Sequence, residues 1–434
     1  MFKINQLTKA VVLFAGMLSF LSSNGMKKRY LASCSWDDTI RVWDLSKKEK
    51  EKGYCRVLKG HTSCVVSVLF HPTNSNKLVS CSIDETIIVW DLSKKEKEKG
   101  YCRVLEGHTN CVVSVLFHPT NSNKLVSCSG DNTIRVWDLS KKEKEKGYCR
   151  VLKGHTSGVW SVLFHPTNPN ILASASNDET VRVWDLSKKE KEKGYCRVLE
   201  GHTSPVVSVL FHPTNSNKLV SCSRDKTIRV WDLSKKKEEK GYCRVLWGHT
   251  DWVNLVIFHL TNSNKIVSCS DDYTIRVWDL SKKEKEKGYC RVLEGHTGSV
   301  RSVIFHPTNS NKLVSCSGSK DRTVIVWDLS KKEKGYCRVL RGHTDWVNLV
   351  IFHPINSNKL VSCSYDGTIR VWDLSKKKEE KGYCRVLRGH TDSVCSVVFS
   401  PCLETKDIKD FLDNLKKQIK EKKNFSDVKI FFKE

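Results

Sequence analysis

A histidine, a serine and an aspartate recur together along this sequence. These residue types can supply a nucleophile, a general base and the group that orients the base. In one copy the histidine is His61 and the aspartate is Asp84, and the serine is Ser80 or Ser82. Such a set would suit hydrolysis of an ester or a peptide bond. Because the set occurs eight times, we predict that it belongs to a structural framework and that the protein is not an enzyme.

All 15 histidines occupy one of two repeated positions, so none remains to act as a general base or as the partner of a nucleophile. Eight of them follow a glycine, and the other seven end an apolar run: His71, His118, His165, His212, His259, His306 and His353. The sequence also lacks Cys-x-x-Cys, His-x-x-x-His and a glycine-rich phosphate loop. We therefore predict neither a metal nor a cofactor.

The residues above are positioned by a repeat of 47 residues. Gly-His pairs begin at Gly60, Gly107, Gly154, Gly201, Gly248, Gly295, Gly342 and Gly389. Trp-Asp pairs begin at Trp43, Trp90, Trp137, Trp184, Trp231, Trp278, Trp327 and Trp372. Each copy holds four short β-branched or aromatic runs separated by turn residues, in one copy 65–70, 78–81, 86–92 and 101–105. Such a pattern predicts a four-stranded antiparallel meander, whose strands we name a, b, c and d.

Gly-His, a Ser-x-Asp turn and a closing Trp-Asp together resemble the WD-repeat β-propeller family. The resemblance covers Lys28 to Pro401. It implies a structural tetrad in each copy, which for one copy is His61, a strand-b serine (Ser80 or Ser82), Asp84 and Trp90. The matching aspartates elsewhere are Asp37, Asp131, Asp178, Asp225, Asp272, Asp321 and Asp366. The resemblance also implies a non-enzymatic platform that docks partners at one loop face and the central opening.

The strand count predicts an all-β fold with eight four-stranded antiparallel blades over residues 26–401. The repeat region begins with a strand b, Tyr30 to Cys34, and ends with a strand a, Val394 to Phe399. Closure of the ring would therefore pair this C-terminal strand a with N-terminal strands b, c and d. Pairing of the ends removes exposed sheet edges, which favour aggregation. Seven blades with a loose end is the alternative.

The first 25 residues have the layout of a secretory signal. Lys3 and Lys9 precede a 12-residue apolar stretch from Ala10 to Leu21, and small polar residues follow. The stretch is too short to span a membrane. We predict a signal peptide over residues 1–25, with an uncleaved leader or translation from Met26 as alternatives.

The last 33 residues, 402–434, depart from the repeat. An amphipathic helix is predicted there from five apolar residues at helical spacing: Ile408, Phe411, Leu412, Leu415 and Ile419. Thr405 would cap its N-terminus. This helix either docks on the propeller or binds a partner.

The formal net charge is +26. Much of it lies in the c–d loops, which we call the lysine loops; the copy at Lys47 to Lys52 reads KKEKEK and sums to +2. Solvated loops that aid solubility explain such a pattern. Binding of nucleic acid or anionic lipid is the alternative. Nucleic acid is the less favoured ligand, because glutamates are interleaved and the loops carry no aromatic residue to stack on bases.

Most of the 19 cysteines occupy two columns, one in strand b and one at the start of strand d. Strand c separates these columns by about 9.6 Å, which exceeds the limit of ~7 Å for a disulfide. We predict buried thiols and a reducing, cytoplasmic compartment. A secreted protein delivered into a host cytosol would reconcile this prediction with the signal peptide.

The copies differ most beside the turn aspartate and at the start of strand a. All five tryptophans outside the framework (Trp36, Trp160, Trp247, Trp252 and Trp346) map to these loops. Drift at unconstrained positions is one explanation, and a binding surface is the other, since exposed Trp, Tyr and Arg carry interface energy. The partner-binding residues predicted here are Trp36, Trp160, Arg224, Lys226, Trp252, Tyr273, Arg301, Lys320, Arg322, Trp346 and Tyr365. A surface that combines aromatic and basic residues in this way suits a protein or peptide ligand that is acidic or phosphorylated.

Overall fold

The computed structural model describes residues 30–259, 262–309, 311–318, 320–331 and 336–401. The signal peptide predicted for residues 1–25 and the helical tail predicted for 402–434 lie outside the described residues. Within the described ranges, no helix has the length and apolar character needed to cross a membrane.

The described residues form 32 strands in eight antiparallel sheets, and each sheet is one blade. Blade 1 consists of β1 (Tyr30–Ser35), β2 (Ile40–Asp44), β3 (Cys55–Leu58) and the last strand, β32 (Val394–Phe399). Blades 2 to 8 each take four consecutive strands, in the order a, b, c, d.

The strands of these seven blades have the following bounds. Blade 2 holds β4 (Val65–His71), β5 (Asn74–Ser82), β6 (Ile87–Asp91) and β7 (Cys102–Leu105); blade 3 holds β8 (Val112–Phe117), β9 (Lys124–Ser129), β10 (Ile134–Asp138) and β11 (Cys149–Leu152). Blade 4 holds β12 (Val159–Phe164), β13 (Ile171–Ser176), β14 (Val181–Asp185) and β15 (Cys196–Leu199); blade 5 holds β16 (Val206–Phe211), β17 (Lys218–Ser223), β18 (Ile228–Asp232) and β19 (Cys243–Leu246). Blade 6 holds β20 (Val253–Phe258), β21 (Lys265–Ser270), β22 (Ile275–Asp279) and β23 (Cys290–Leu293). Blade 7 holds β24 (Val300–Phe305), β25 (Lys312–Ser317), β26 (Val324–Asp328) and β27 (Cys337–Leu340); blade 8 holds β28 (Val347–Phe352), β29 (Lys359–Ser364), β30 (Ile369–Asp373) and β31 (Cys384–Leu387).

Burial decreases from strand a to strand d within a blade. In blade 5 every residue of β16 is buried, and β17 is buried from Leu219 onward. In β18 burial is limited to Ile228 and Trp231, and in β19 only Leu246 is buried. Neighbouring blades cover both faces of the inner strands, which explains why these strands are apolar throughout. The hydrophobic core therefore lies between blades, and one blade alone could not bury its faces.

The two ends of the repeat region share blade 1, which confirms the predicted closure. β32 pairs with β1 in antiparallel register, with Leu31 opposite Phe399 and Ser33 opposite Val397. Each strand a also contacts the strand a of the next blade, from β4 around the ring to β32 and back to β4. The ring of eight blades is thus continuous.

The seven histidines that end the apolar run of strand a pack successive blades against each other. The His165 ring meets Phe211 of the next blade edge-to-face, with centroids 4.7 Å apart. The same pairing links His71, His118, His212, His259, His306 and His353 to the following blade. The Nδ1 atom of His165 accepts a hydrogen bond from the backbone N–H of Thr167 at 3.2 Å. These histidines therefore have a structural role.

An arginine in each strand d links that strand to the lysine loop of the next blade. Arg103 donates to the Leu139 carbonyl at 2.7 Å and also to the Lys141 carbonyl, and its guanidinium lies 5.4 Å from the Tyr148 ring centroid. Arg385 does the same across the closure, donating to the Leu45 carbonyl at 2.8 Å. The eight bridging arginines are Arg56, Arg103, Arg150, Arg197, Arg244, Arg291, Arg338 and Arg385.

Candidate partner-binding face

The histidine, serine, aspartate and tryptophan of each copy form one chain of hydrogen bonds. In blade 2, His61 Nδ1 lies 2.8 Å from Asp84 Oδ2, and His61 Nε2 lies 2.8 Å from Ser80 Oγ. The indole of Trp90 donates to Ser80 Oγ at 2.8 Å. Ser80, rather than Ser82, is the serine in this chain. The other seven blades have the same three contacts.

The direction of donation in this chain follows from the tryptophan. An indole N–H can only donate, so Ser80 Oγ accepts from Trp90 and its own hydrogen is available to His61 Nε2. When Ser80 donates to Nε2, the Nδ1–H of His61 donates to the Asp84 carboxylate. Ser80 is fully buried, so no substrate carbonyl can approach its oxygen. This arrangement has the connectivity of a catalytic triad but suits cross-linking of the b–c and d–a loops to the blade.

The directions in which the pKa values of the tetrad histidines and aspartates shift agree with these hydrogen-bond directions. Burial lowers the pKa of His108, and the hydrogen bond to Asp131 offsets that effect only in part. Burial alone would raise the pKa of Asp225, but the hydrogen bond and charge of His202 lower it to about 2. Near pH 7 the tetrad aspartates are therefore ionised, and the histidines with a lowered pKa are neutral: His108, His155, His202, His249, His343 and His390.

Seven of the eight b–c turns present a side chain that is exposed or half-buried. Ser82 Oγ accepts from the Asp84 N–H at 3.0 Å, and Asp84 Oδ1 accepts from the Thr86 hydroxyl at 2.6 Å. These bonds hold the intervening Glu85 at a φ of 69°. Its equivalents have φ between 54° and 73°: Asp38, Asn132, Glu179, Lys226, Tyr273, Arg322 and Gly367. The left-handed region favours glycine and asparagine, yet most copies place a larger residue there.

Each strand a contains a β-bulge, and in blades 4 and 7 the extra residue, Trp160 or Arg301, is half-buried rather than buried. In blade 4 the pairing shifts between Val159 and Ser161, so Trp160 has no partner residue in strand b. The equivalent bulged residues include Arg301 in blade 7 and Asn254 in blade 6. Trp160 and Arg301 were expected in loops but lie inside strand a. A bulge redirects the side chain of the extra residue, which explains how a strand residue contributes to the loop face.

Two arginine–tryptophan pairs cross the boundaries between blades on this face. The Arg224 guanidinium of blade 5 lies 4.8 Å from the ring centroid of Trp252 in blade 6. The Arg301 guanidinium of blade 7 lies 4.8 Å from the ring centroid of Trp346 in blade 8. All four side chains are half-buried. Cation–π contact of this kind restrains the rotamers of both partners.

The second pair continues into an aromatic stack. Trp346 and Tyr365 are stacked, with centroids 5.5 Å apart and an interplanar angle of 13°. Tyr365 in turn contacts Trp36 of blade 1, at 5.5 Å and 43°. Arg301, Trp346, Tyr365 and Trp36 therefore form one contiguous row over blades 7, 8 and 1, which we call the aromatic row. Trp36, which follows the N-terminal strand β1, reaches Tyr365 because blade 1 closes the ring.

The family can be assigned at this point. The family described as "WD domain, G-beta repeat" matches eight segments that make up more than half of the chain: residues 20–44, 53–91, 100–138, 147–185, 194–232, 241–279, 288–328 and 335–373. The chain belongs to the WD40 repeat family. No curated protein matches it as a relative. Propellers of this family are commonly protein-interaction scaffolds and are generally non-enzymatic.

The predicted partner-binding residues of this WD40 propeller fall into three environments. Six form the cross-blade contacts described above: Trp36, Arg224, Trp252, Arg301, Trp346 and Tyr365. Four are exposed: Lys226, Tyr273, Lys320 and Arg322. Trp160 is half-buried, and its indole donates to the Asn177 side chain. The structure thus brings six of the predicted residues into two clusters and leaves four as separate exposed side chains.

Sequence reasoning missed some features of this face. Trp247, which was counted only as a spare tryptophan, is 58% exposed. The bulged Asn254 and Asn348 donate to the carbonyls of Val300 and Val394 in the next blade, at 2.9 and 2.8 Å. Variation at these two positions is therefore structural. A β-bulge has no composition signal in strand a, so the sequence could not reveal it.

The lysine loops lie away from this face and are partly self-bonded. In blade 3 the Lys141 ammonium donates to the Lys146 carbonyl at 2.8 Å. The loop also lies beside the a–b turn, where the Leu139 N–H donates to the Asn123 carbonyl at 2.6 Å. The same lysine-to-carbonyl bond closes the loops at Lys47, Lys94, Lys188, Lys235, Lys282 and Lys376. One lysine of each of these loops is therefore turned inward.

The prediction of buried cysteines is right for strand b and wrong for strand d. The strand-b thiols, such as Cys81, have no exposed surface. Strand-d cysteines such as Cys149 are only half-buried, and Cys102 is exposed. Strand d is outermost, and its thiol is covered mainly by a strand-c arginine: Arg135 Nη1 lies 3.7 Å from Cys149 Sγ. Blade 2 has Ile88 at that arginine position. No disulfide joins any cysteine that the structure describes.

Proposed function

We propose that this WD40 propeller is a non-enzymatic scaffold that binds a protein or peptide partner on its b–c/d–a face. The aromatic row is the observation that carries the proposal. Trp346 and Tyr365 of blade 8 and Trp36 of blade 1 are half-buried side chains added to an otherwise uniform framework, and they meet across the boundary between these two blades. Tryptophan, tyrosine and arginine dominate the binding energy of protein interfaces.

The packing of the aromatic row favours binding. Its rings are held by each other and by Arg301, so little rotamer entropy is lost when a ligand covers them. The exposed Tyr273, Lys226 and Arg322 lie on the same face and extend the surface toward blades 5 to 7. A central set of restrained aromatic anchors with polar residues around it matches the usual anatomy of an interface.

Affinity capture with a double variant tests the proposal. Trp252→Ala/Trp346→Ala removes one anchor from each cluster and should abolish capture of the partner, while the fold, held by separate buried tryptophans, remains. The matched control is Val104→Ala/Ile355→Ala, which removes two exposed apolar side chains from outside this face. Retention of every captured partner by the tryptophan variant would refute the proposal.

Binding of nucleic acid or an anionic surface through the lysine loops is the alternative function. The loops sum to +2 each, and the remaining lysines that the structure describes face solvent. Such binding would collapse between low and physiological ionic strength and would be unaffected by the tryptophan variant. Capture that persists at physiological salt and depends on Trp346 would favour the peptide-binding function.

We also infer that the protein works in a reducing compartment. The buried strand-b thiols and the half-buried strand-d thiols are not oxidised to disulfides in the described structure. Non-reducing mass spectrometry of the protein isolated from its source would show 19 free thiols if this inference holds.

A further inference from the structure

Arg224 is a half-buried cation to which the protein supplies no acceptor. Its Nε atom is buried without a hydrogen-bond partner among the described residues. Its guanidinium also forms no ion pair with a carboxylate of the described chain; its contact is with the Trp252 ring. Burial accordingly lowers the Arg224 pKa, and the nearby Asp271 offsets this only in part. A buried charge without a partner is unfavourable unless a ligand supplies one.

Other half-buried arginines in this protein have acceptors. Arg244 donates to the Leu280 carbonyl at 2.7 Å and also to that of Lys282. Arg229 Nη1 lies 3.6 Å from Cys243 Sγ. These residues lie in framework columns, whereas Arg224 lies in the variable column before the turn aspartate. The buried Nε of Arg229 likewise lacks an acceptor, so Arg224 differs from these two arginines in that no described residue accepts a hydrogen bond from its terminal nitrogens.

The acid nearest to Arg224 is engaged elsewhere. Asp271 Oδ1 accepts from Asn254 Nδ2 at 2.7 Å, and the buried Asn254 also donates to the Val300 carbonyl. Asp271 therefore tempers the charge of Arg224 without filling its donors. Trp252 holds the guanidinium in place, and the exposed Lys226 adds a second cation from the same b–c turn.

We propose that Arg224, backed by Trp252 and assisted by Lys226, receives a phosphorylated side chain of the bound peptide. This inference rests on the proposed peptide-binding function of the face. A phosphate monoester carries about −1.5 to −2 charges and three acceptor oxygens. It can take two guanidinium N–H bonds and the lysine ammonium together. A single carboxylate has less charge with which to overcome the repulsion from Asp271.

Partially randomised peptide pools test the assignment. Three pools share degenerate flanks and differ at one central residue, which is phosphoserine, aspartate or serine. The intact protein should retain the phosphoserine pool best. Arg224→Gln should weaken that retention on the order of 10- to 100-fold, the loss expected for hydrogen bonds to a charged group. Arg224→Lys should recover only part of it, because an ammonium lacks the planar fork of a guanidinium.

Arg388→Gln is the matched control, since it removes one exposed positive charge from the start of a d–a loop and lies outside the predicted partner-binding residues. It should change retention no more than a few-fold, as expected for a solvent-exposed charge. Equal retention of the phosphoserine and aspartate pools, or an unchanged phosphoserine preference in Arg224→Gln, would overturn the inference. If all three pools bind equally and Trp346→Ala abolishes that binding, the peptide-binding function stands and the phosphate site does not.

Discussion

At the residue scale, the burial of a side chain determines which chemistry it can perform. Ser80, His61 and Asp84 are connected as a nucleophile, a base and an orienting acid would be. The serine oxygen is enclosed, however, and it accepts a hydrogen bond from Trp90. Its environment turns a reactive constellation into a cross-link between two loops. The chemically distinctive residues of this chain lie instead where each copy differs from the others.

The turn position occupied by Tyr273 combines backbone strain with exposure. Its φ is 70° and its side chain is 48% exposed. Tyr273→Gly should raise the free energy of unfolding by about 1 kcal/mol, because glycine adopts this conformation without steric cost. The variant should also bind the partner more weakly. Urea denaturation and affinity capture measure the two effects, and a loss of stability would contradict the prediction.

Gly367 provides the reverse substitution at the equivalent position. Its φ is 73°, and an added Cβ would lie 3.2 Å from the His390 carbonyl oxygen. Gly367→Ala should therefore lower the free energy of unfolding by about 1 kcal/mol.

At the element scale, blade 1 is the only described blade whose strands come from both ends of the repeat region. Three kinds of contact hold it together. β32 pairs with β1, His390 reaches Ser33 and Asp37, and Arg385 bridges to the loop after β2. In the other blades the a–b turn joins strand a covalently to strand b. The stability of blade 1 therefore depends more on its tetrad and its bridging arginine than the stability of the other blades does.

Removing the tetrad histidine from blade 1 should open the ring. His390→Ala leaves Asp37 and Ser33 without their partner and should cost about 1–3 kcal/mol. Hydrogen exchange followed by mass spectrometry should show faster exchange throughout β1, β2, β3 and β32. His202→Ala is the matched variant in blade 5 and should speed exchange only near its own d–a loop and b–c turn, because β16 remains joined covalently to β17. Equal, purely local effects of the two substitutions would contradict this assignment of blade 1.

At the scale of the whole molecule, the framework is repeated eight times while the b–c/d–a face differs from blade to blade. The repeated framework makes stability a sum of similar contributions from neighbouring blades. The varied face concentrates the aromatic row over blades 7, 8 and 1 and the Arg224 site over blades 5 and 6. Ring closure also completes the aromatic row, because it brings Trp36 against Tyr365.

Repetition also predicts how stability depends on pH. Burial lowers the pKa of the tetrad histidines His108, His155, His202, His249, His343 and His390 below the ordinary value of 6.5. A lowered folded-state pKa means that unfolding takes up protons, so this stability is present above pH 6.5 and is lost as the pH falls below it. Tm should therefore fall steeply from pH 7.5 to pH 5.

The tetrad aspartates extend the same trend to lower pH. Hydrogen bonds keep the pKa of Asp225 at about 2, below its ordinary value of 3.8. Their contribution to stability is present above pH 3.8 and is lost below it. Scanning calorimetry across this range checks both steps, and a Tm that is constant from pH 7.5 to pH 5 would contradict neutral buried histidines.

The sequence by itself determined the repeat unit, the number of blades and the closure by β32. These features depend on local patterns: each meander is encoded within one copy, and counting strands places Val394–Phe399 beside Tyr30–Ser35. It could not choose between Ser80 and Ser82, because both point to the same side of strand b. The choice depends on the register of strand b against strand c, in which Leu78 lies opposite Trp90 and Ser80 is the nearer serine. The sequence also placed the strand-d cysteines in the core, although strand d has no blade outside it.

Only the tertiary structure decided how the variable residues meet. Arg224 and Trp252, or Trp346 and Trp36, lie in different copies, so their contact depends on the angle and spacing between blades. The bulge at Trp160 and the left-handed turn at Tyr273 set where their side chains point, and neither is marked by residue type. Local propensity encodes the framework of this propeller, whereas packing between blades forms its candidate binding sites.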